Sequence, residues 1–193
     1  MAQFTQKAIL STFQAMLEEM PFDKITVSAL VKRCEISSNT FYYHFRDIYD
    51  LLDNWLMNTF QMFVEKPDFS WREAAKEFLY VCQKNKKIVY HLSKSLSRER
   101  LEQYFFSQSN DYFVRYIKDI AGVRTLPETF ASQLAEFCRY STTGFFLRFL
   151  WNQMDEDIDK SVDRLADMFD GFIESAIEQF FEDSMPNADS ASL

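Results

Sequence analysis

Glycine and proline are scarce in this sequence. Only three glycines and four prolines occur among 193 residues, too few for the turns of a sheet-rich fold. Long stretches instead carry apolar residues at the three- and four-residue spacing of a helix. Because 47% of the residues are hydrophobic, the chain can bury a core of its own. The sequence therefore predicts an all-α protein of about nine helices.

Cysteine and histidine are also rare, and neither forms a pattern typical of catalysis. Cys34, Cys82 and Cys138 stand at no disulfide or metal-ligand spacing, which is typical of a reducing compartment. The two histidines form no cluster, and no glycine-rich loop is present to cradle a phosphate. We therefore predict that the protein is not an enzyme and needs no metal or cofactor.

Long apolar runs are absent. No run reaches the ~18 residues that a membrane span needs, and the N-terminus lacks the apolar segment of a secretion signal. The sequence predicts a cytoplasmic protein without a membrane partner.

The first 52 residues predict three helices. A stripe of apolar residues places the first helix at about Thr5 to Met20. Thr26 is positioned to cap a short second helix, and Ser37 or Ser38 to cap a third. Two short helices joined by a tight turn after a bracing helix are the layout of a DNA-binding helix-turn-helix.

The rest of the chain predicts a second helical unit. A fourth helix, capped by Asp47 with Asp50 at the capping-box position, runs to about residue 65 and links residues 1–52 to residues 53–183. Further helices are predicted at 70–85, 86–93, 98–120, 127–153 and 159–182. The small, polar ending 184–193 predicts a disordered tail.

The third helix has the composition of a DNA-reading helix. An ordinary core helix would not gather hydroxyl, amide and aromatic side chains between two inward-facing phenylalanines, Phe41 and Phe45. Ser38, Asn39 and Thr40 are the candidates for base edges. Thr26 and Ser28 are candidates for phosphate contact or for helix capping alone, and Arg46 for phosphate contact or plain solvation. The complete set of predicted DNA-binding residues is Thr26, Ser28, Ser37, Ser38, Asn39, Thr40, Tyr42, Tyr43, His44 and Arg46.

The helix-turn-helix segment carries a recognisable set of residues: Ile25-Thr26-Val27, Leu30, Ile36-Ser37, Thr40-Phe41-Tyr42-Tyr43-His44-Phe45 and Leu51. In these residues it resembles the DNA-binding domain of the TetR family. The resemblance implies an all-helical homodimer with an N-terminal three-helix DNA-binding domain. It also implies a C-terminal domain that senses a ligand and dimerises through its last two helices.

A narrower resemblance is to regulators of dihydroxyacetone-kinase operons. It rests on the segments 22–27, 40–45 and 47–52. The resemblance implies that activation of transcription and control by a kinase-like partner protein are alternatives to repression.

Three residues depart from the TetR pattern. Glu35 stands in the turn and Asn39 in the recognition helix where family members often carry glycine, and Ile48 replaces a common lysine. Glu35 requires either a different turn or a left-handed residue, and Ile48 removes a cation. Since residues 1–49 carry five basic and five acidic residues in a chain of net charge -8, we expect an electrostatically modest DNA contact.

The last two predicted helices are too apolar to have a solvated side. A second subunit would bury them, with packing inside one chain as the alternative. Gly144 and Gly171 lie inside these helices, which suggests close helix crossings. The predicted dimer residues are Phe145, Phe146, Phe149, Leu150, Phe169, Phe172, Ile173, Ile177 and Phe180.

An effector site is predicted among the helices between Ser70 and Trp151. Polar groups in otherwise apolar helices are its candidates, with a core or rim position as the alternative for each. They are His91, Tyr112, Tyr116, Arg139, Tyr140 and Arg148. The effector is a small molecule or a partner protein.

Together these features predict a DNA-binding transcription regulator. The favoured form is a homodimeric repressor that binds a near-palindromic operator in double-stranded DNA and is released by an effector. An activator controlled by a partner protein and a helical interaction protein with weakened DNA binding are the alternatives.

Overall fold

The computed structural model describes residues 2–64, 70–108 and 110–184, and every regular element in this part of the chain is a helix, without a strand. A short 3-10 helix, Phe22–Lys24, follows the first α-helix. The α-helices are α1 (Ala2–Glu19), α2 (Val27–Arg33), α3 (Ser38–His44), α4 (Ile48–Val64), α5 (Trp71–Lys84), α6 (Lys86–Ser95), α7 (Arg98–Gln108), α8 (Asn110–Ala121), α9 (Glu128–Trp151) and α10 (Ile158–Ser184). The predicted all-α class is confirmed.

One predicted boundary needs correction, and one prediction is not tested. The single helix expected over 98–120 is described as α7 and α8 on either side of Ser109, which lies outside the described ranges, so its continuity stays a prediction. Ser184, expected in a disordered tail, ends α10, where its hydroxyl donates to the carbonyl oxygen of Phe180 at 2.6 Å. The remaining tail, 185–193, and the stretch 66–69 between the predicted helices that end at about 65 and begin at 70 lie outside the described residues.

The helix starts of the N-terminal unit are fixed by the predicted caps. The Thr26 hydroxyl accepts from the Ala29 amide at 3.1 Å. The Asp47 carboxylate accepts from the amides of Tyr49 and Asp50 at 2.8 and 2.9 Å. The Asp50 carboxylate accepts in turn from the Arg46 amide at 2.9 Å. These side chains satisfy amides that a helix start leaves without a backbone partner.

Two apolar cores organise the molecule. The N-terminal core joins α1 to α4 through side chains such as Phe13, Leu30, Phe41 and Leu51, all 0% exposed. The C-terminal core joins α5, α8, α9 and α10, with Ile117 and Ile173 fully buried.

Helix α6 belongs to the N-terminal core, although the predicted division at residue 52 assigns it to the second unit. Ile88, Leu92 and Leu96 are buried among the residues of α1 to α4. His91 Nδ1 lies 2.6 Å from the carbonyl oxygen of Leu17 in α1, and the Ser95 hydroxyl donates to Asp23 at 3.2 Å. A helix of the C-terminal half is therefore packed directly on the N-terminal helices.

A membrane span was sought among the helices of the described residues. None of them is both long enough and apolar enough to cross a bilayer.

Candidate nucleic-acid interface

The turn between α2 and α3 is closed by a left-handed residue. Glu35 has a φ of 56°. Of the two expected outcomes, a different turn or a left-handed residue, the structure has the left-handed residue. The Ile36 amide donates to the carbonyl oxygen of Val31 at 3.1 Å, so the chain reverses tightly into α3. Arg33 fixes α2 to α1 because its guanidinium donates to both carboxylate oxygens of Glu19 at 2.6 Å. The pairing lowers the pKa of Glu19.

Helix α3 presents one polar face to solvent. Phe41 and Phe45, 0% and 1% exposed, anchor the helix in the N-terminal core. On the outer side Tyr42 is 57% and Tyr43 79% exposed. Ser38 and Asn39 are exposed as well. The predicted contact groups of Ser38, Asn39, Tyr42 and Tyr43 therefore lie together on one short helix.

Some of the predicted contact groups also stabilise the motif. The Ser37 hydroxyl accepts from the Thr40 amide at 3.1 Å and lies 2.9 Å from the Thr40 hydroxyl. Thr26 caps α2 in the same way, and its contact with phosphate stays a prediction, as does that of Ser28, which is exposed beside it. His44 is half-buried, its ring 5.1 Å from that of Tyr43.

Arg46 is the cation nearest in sequence to the end of α3. Its side chain is 87% exposed and its Nη2 lies 3.5 Å from the Asp50 carboxylate. An exposed pair of this kind is weak, so the guanidinium can exchange this carboxylate for a phosphate.

The structure does not bring the six predicted effector residues together. His91 contacts α1, Tyr116 donates to Asp170, and Arg148 pairs with Glu156 at 3.1 Å. Arg139 and Tyr140 both lie against the ring of Phe106. Tyr112 lines a cavity of about 130 Å³. A second cavity, of about 310 Å³, is lined by none of the six.

Most of the predicted dimer residues lie inside a single chain. Phe146, Phe149, Phe169, Ile173 and Ile177 are each at most 7% exposed. The alternative of packing within one chain therefore accounts for these five side chains, which a partner cannot reach. Phe145, Leu150 and Phe180 are half-buried, and Phe172 is 44% exposed.

Phe172 belongs to an exposed apolar face on α9 and α10 whose other members are not among the predicted dimer residues. Phe137 and Tyr140 of α9, and Met168 and Phe172 of α10, are all exposed. The rings of Phe137 and Phe172 lie 4.6 Å apart, which joins the two helices into one surface. At Gly144 and Gly171 an added Cβ would meet nothing within 4 Å, so neither glycine marks a close crossing inside the described chain.

Two family models match this chain. "Bacterial regulatory proteins, tetR family" matches residues 9–54, which include α2 and α3. "Transcriptional regulator C-terminal region" of the same family matches residues 70–171. The comparison with curated proteins gives no significant match.

Solved structures share the fold at low sequence identity. The dihydroxyacetone kinase operon activator DhaS is 18% identical with a TM-score of 0.65, over 89% of this chain and 97% of that one. NalD of Pseudomonas aeruginosa, the secondary repressor of the MexAB-OprM multidrug efflux pump, is 16% identical with a TM-score of 0.54, over 88% and 96%. A TetR/AcrR-type regulator from Aquifex aeolicus VF5 is 19% identical with a TM-score of 0.52, over 92% and 99%.

Proposed function

The chain belongs to the TetR family of bacterial transcription regulators, and on that premise we propose that it is a homodimeric repressor. It binds a near-palindromic operator and leaves it when an effector binds. The observation that carries the proposal is the face of α3, where Ser38, Asn39, Tyr42 and Tyr43 are exposed above a buried Phe41.

Within this proposal the residues of α3 make two kinds of contact, to base edges and to phosphates. Ser38 and Asn39, at the N-terminal end, contact base edges, since an asparagine amide can pair with adenine through two hydrogen bonds. The Thr40 hydroxyl is engaged with Ser37, which leaves its methyl group for a thymine methyl. Tyr42, Tyr43 and His44 contact phosphates, with Ser28, Thr26 and Arg46 at the flanks of the motif.

Dimerisation uses the exposed face formed by Phe137, Tyr140, Met168 and Phe172. Four large exposed apolar side chains on two adjacent helices are unfavourable in water, and a two-fold partner would cover them. Gly144 and Gly171 on the same two helices have open space above them, so a partner helix can approach closely there. Two-fold symmetry would set the recognition helices about 34 to 36 Å apart, or a multiple of that spacing.

The test is DNA binding by the full-length protein. Fragments of the source genome are selected on the protein, and affinities are then measured by fluorescence anisotropy at several salt concentrations. Tyr43→Ala should weaken binding to all fragments alike, whereas Asn39→Ala should relax preference at one base pair in each half-site, by about 1–3 kcal/mol. Tyr90→Ala, an exposed tyrosine on α6, is the matched control and should bind as the wild type does.

Two results would contradict this assignment. Equal losses on every fragment for Asn39→Ala and Tyr43→Ala would remove the division between base and phosphate contacts. No enriched fragment under any condition would favour a helical interaction protein instead.

Activation of transcription is a second candidate. The observation that favours it is the fold shared with an operon activator, at the TM-score of 0.65. In-vitro transcription from a selected operator distinguishes repression from activation, because a bound repressor lowers the transcript yield and a bound activator raises it.

A further inference from the structure

The cavity of about 310 Å³ lies where the N-terminal and C-terminal helices meet. Its volume reaches the lower end of the range for small-molecule sites. Side chains from α1, α4, α5, α6, α7 and α9 surround it, among them Gln14, Trp55, Val81, Val89, Leu101 and Leu150. Since most of this wall is apolar, the occupant is expected to have an apolar body.

Aromatic rings close the cavity at one end. Phe60, Phe78, Phe105 and Phe146 line both this cavity and the neighbouring one of about 130 Å³. The ring centroids of Phe105 and Phe146 are 4.0 Å apart, and those of Phe60 and Phe78 are 4.8 Å apart. These four rings form a wall against which a slender apolar tail can pack.

Beside this wall, where the Tyr104 ring lies 5.7 Å from that of Phe60, the cavity opens to solvent through a polar mouth. Asp53, Arg100 and Tyr104 line both the cavity and an open surface cleft between α4 and α7. The polar part of an occupant would therefore lie beside these three side chains.

The Arg100 guanidinium is held loosely. Its Nη2 lies 3.5 Å from the Asp53 carboxylate, compared with 2.6 Å between Arg33 and Glu19. The group also lies over the Tyr49 ring, at 4.4 Å from the centroid. Since a guanidinium has five N–H donors, Arg100 can keep its contact with Asp53 and still donate to a second carboxylate.

The surroundings of Arg100 carry charge of both signs, because the carboxylates of Asp53 and Glu99 also line the cleft. Arg100 lies in the first turn of α7, where its amide donates to the Ser97 hydroxyl at 3.2 Å. The positive end of the helix dipole therefore lies beside the mouth. Tyr104 adds no negative charge there, because an ordinary tyrosine is already protonated at neutral pH and burial raises the pKa of Tyr104 further.

We propose that this cavity binds an amphipathic carboxylate, with the slender apolar body inside and the carboxylate on Arg100. This inference rests on the proposed function and names the chemical class of the effector. Leu52, Ile88 and Leu92 belong to the N-terminal core and also line the cavity. An occupant therefore touches the unit that carries α3.

The test is calorimetric titration of the full-length protein with three ten-carbon probes: decanoate, decanol and decylammonium. Decanoate should bind most tightly, and Arg100→Gln should weaken it about tenfold or more. The same variant should change decanol binding less than twofold, which shows that the cavity is intact. Arg98→Gln, which removes an arginine paired with Glu102 outside the cavity, is the matched control and should leave decanoate affinity unchanged.

Three results would overturn the inference: tighter binding of decylammonium than of decanoate, an unchanged decanoate affinity in Arg100→Gln, or no saturable binding of any probe.

The position of the ligand's apolar tail is checked with 10-bromodecanoate, whose bromine should quench tryptophan fluorescence. This quenching should fall sharply in Trp55→Phe, because Trp55 lines the cavity. Equal quenching in that variant would place the ligand elsewhere.

DNA binding is measured separately by anisotropy, with and without decanoate. Decanoate binding that leaves DNA affinity unchanged would support the site and contradict its role as the effector site. Failure to bind DNA under any condition would contradict the proposed function alone.

Discussion

At the scale of single residues, Glu35 places a side chain in a left-handed turn conformation. A side chain at a φ of 56° brings Cβ close to the following carbonyl oxygen, which costs roughly 1–2 kcal/mol. The turn is nevertheless held, because the flanking residues Val31 and Ile36 are joined by a backbone hydrogen bond. The N-terminal unit therefore carries local strain within the motif proposed to contact DNA.

Glycine at this position should relieve the strain. We expect Glu35→Gly to raise the free energy of unfolding by about 1 kcal/mol. Part of this gain is offset because glycine increases the conformational entropy of the unfolded chain. Glu35→Gln keeps the strain and removes only the charge, so its effect should stay within about 0.5 kcal/mol. Urea unfolding curves measure both variants, and equal stabilities for them would show that the turn is not strained.

At the scale of helices, an ion-pair network joins α5 to α10. Arg72 contacts Asp163, Asp167 and Asp170 at 3.3, 2.6 and 3.6 Å. Lys76 lies 2.7 Å from Asp163. Hydrogen bonding to Lys76, with a further contribution from Arg72, lowers the pKa of Asp163. The acidic residues of α10 thus contribute to packing within the chain as well as to its net charge.

The lowered pKa of Asp163 predicts an acid-sensitive contribution to stability. Because the folded-state pKa lies below the unfolded one, the contribution is complete above the ordinary aspartate pKa of about 4 and is lost as the pH falls further. Asp163→Asn should therefore unfold at a lower urea concentration at pH 7, and this deficit should shrink below about pH 4. Glu178→Gln, which removes an exposed charge on the same helix, should show no such change with pH. A deficit in Asp163→Asn that stays constant with pH would contradict the assigned cause.

At the scale of the whole molecule, the glycines of α9 and α10 offer a test of the proposed dimer. Inside a monomer, a larger side chain at Gly171 would meet open space, and replacing a helical glycine is favourable by up to about 1 kcal/mol. In the proposed dimer the same side chain would meet the partner helix.

Gly171→Leu should therefore fold normally yet raise the dimer dissociation constant about tenfold or more. Sedimentation equilibrium measures the dissociation constant, and circular dichroism confirms the helical fold. Lys87→Leu on α6, also exposed, is the control for adding an apolar surface side chain. A Gly171→Leu dimer of unchanged affinity would place the interface on another surface.

The sequence predicted local features better than it predicted which residues meet across the fold. The caps at Thr26 and Asp47 and the burial of Phe41 depend on nearby residues, and these predictions are confirmed. The apolar series on α9 and α10 was assigned to a dimer because spacing alone cannot tell a partner helix from α5 or α8 of the same chain. The 310 Å³ cavity lies between helices that are distant in sequence, including α1 and α4. The effector site was predicted from polar residues between Ser70 and Trp151 alone, so that prediction could not locate the cavity.

The burial of α6 in the N-terminal core has a consequence for exchanging parts between TetR-family proteins. A chimaera joined at residue 52 would set the Ile88–Leu92–Leu96 edge of one parent against the α1 of another. The contact of His91 with the backbone of Leu17 would survive that exchange more readily than the apolar packing around it, since every α1 offers a carbonyl there. In this chain the structural unit that carries α3 therefore consists of α1 to α4 together with α6. A chimaera should take both segments, α1 to α4 and α6, from the same parent.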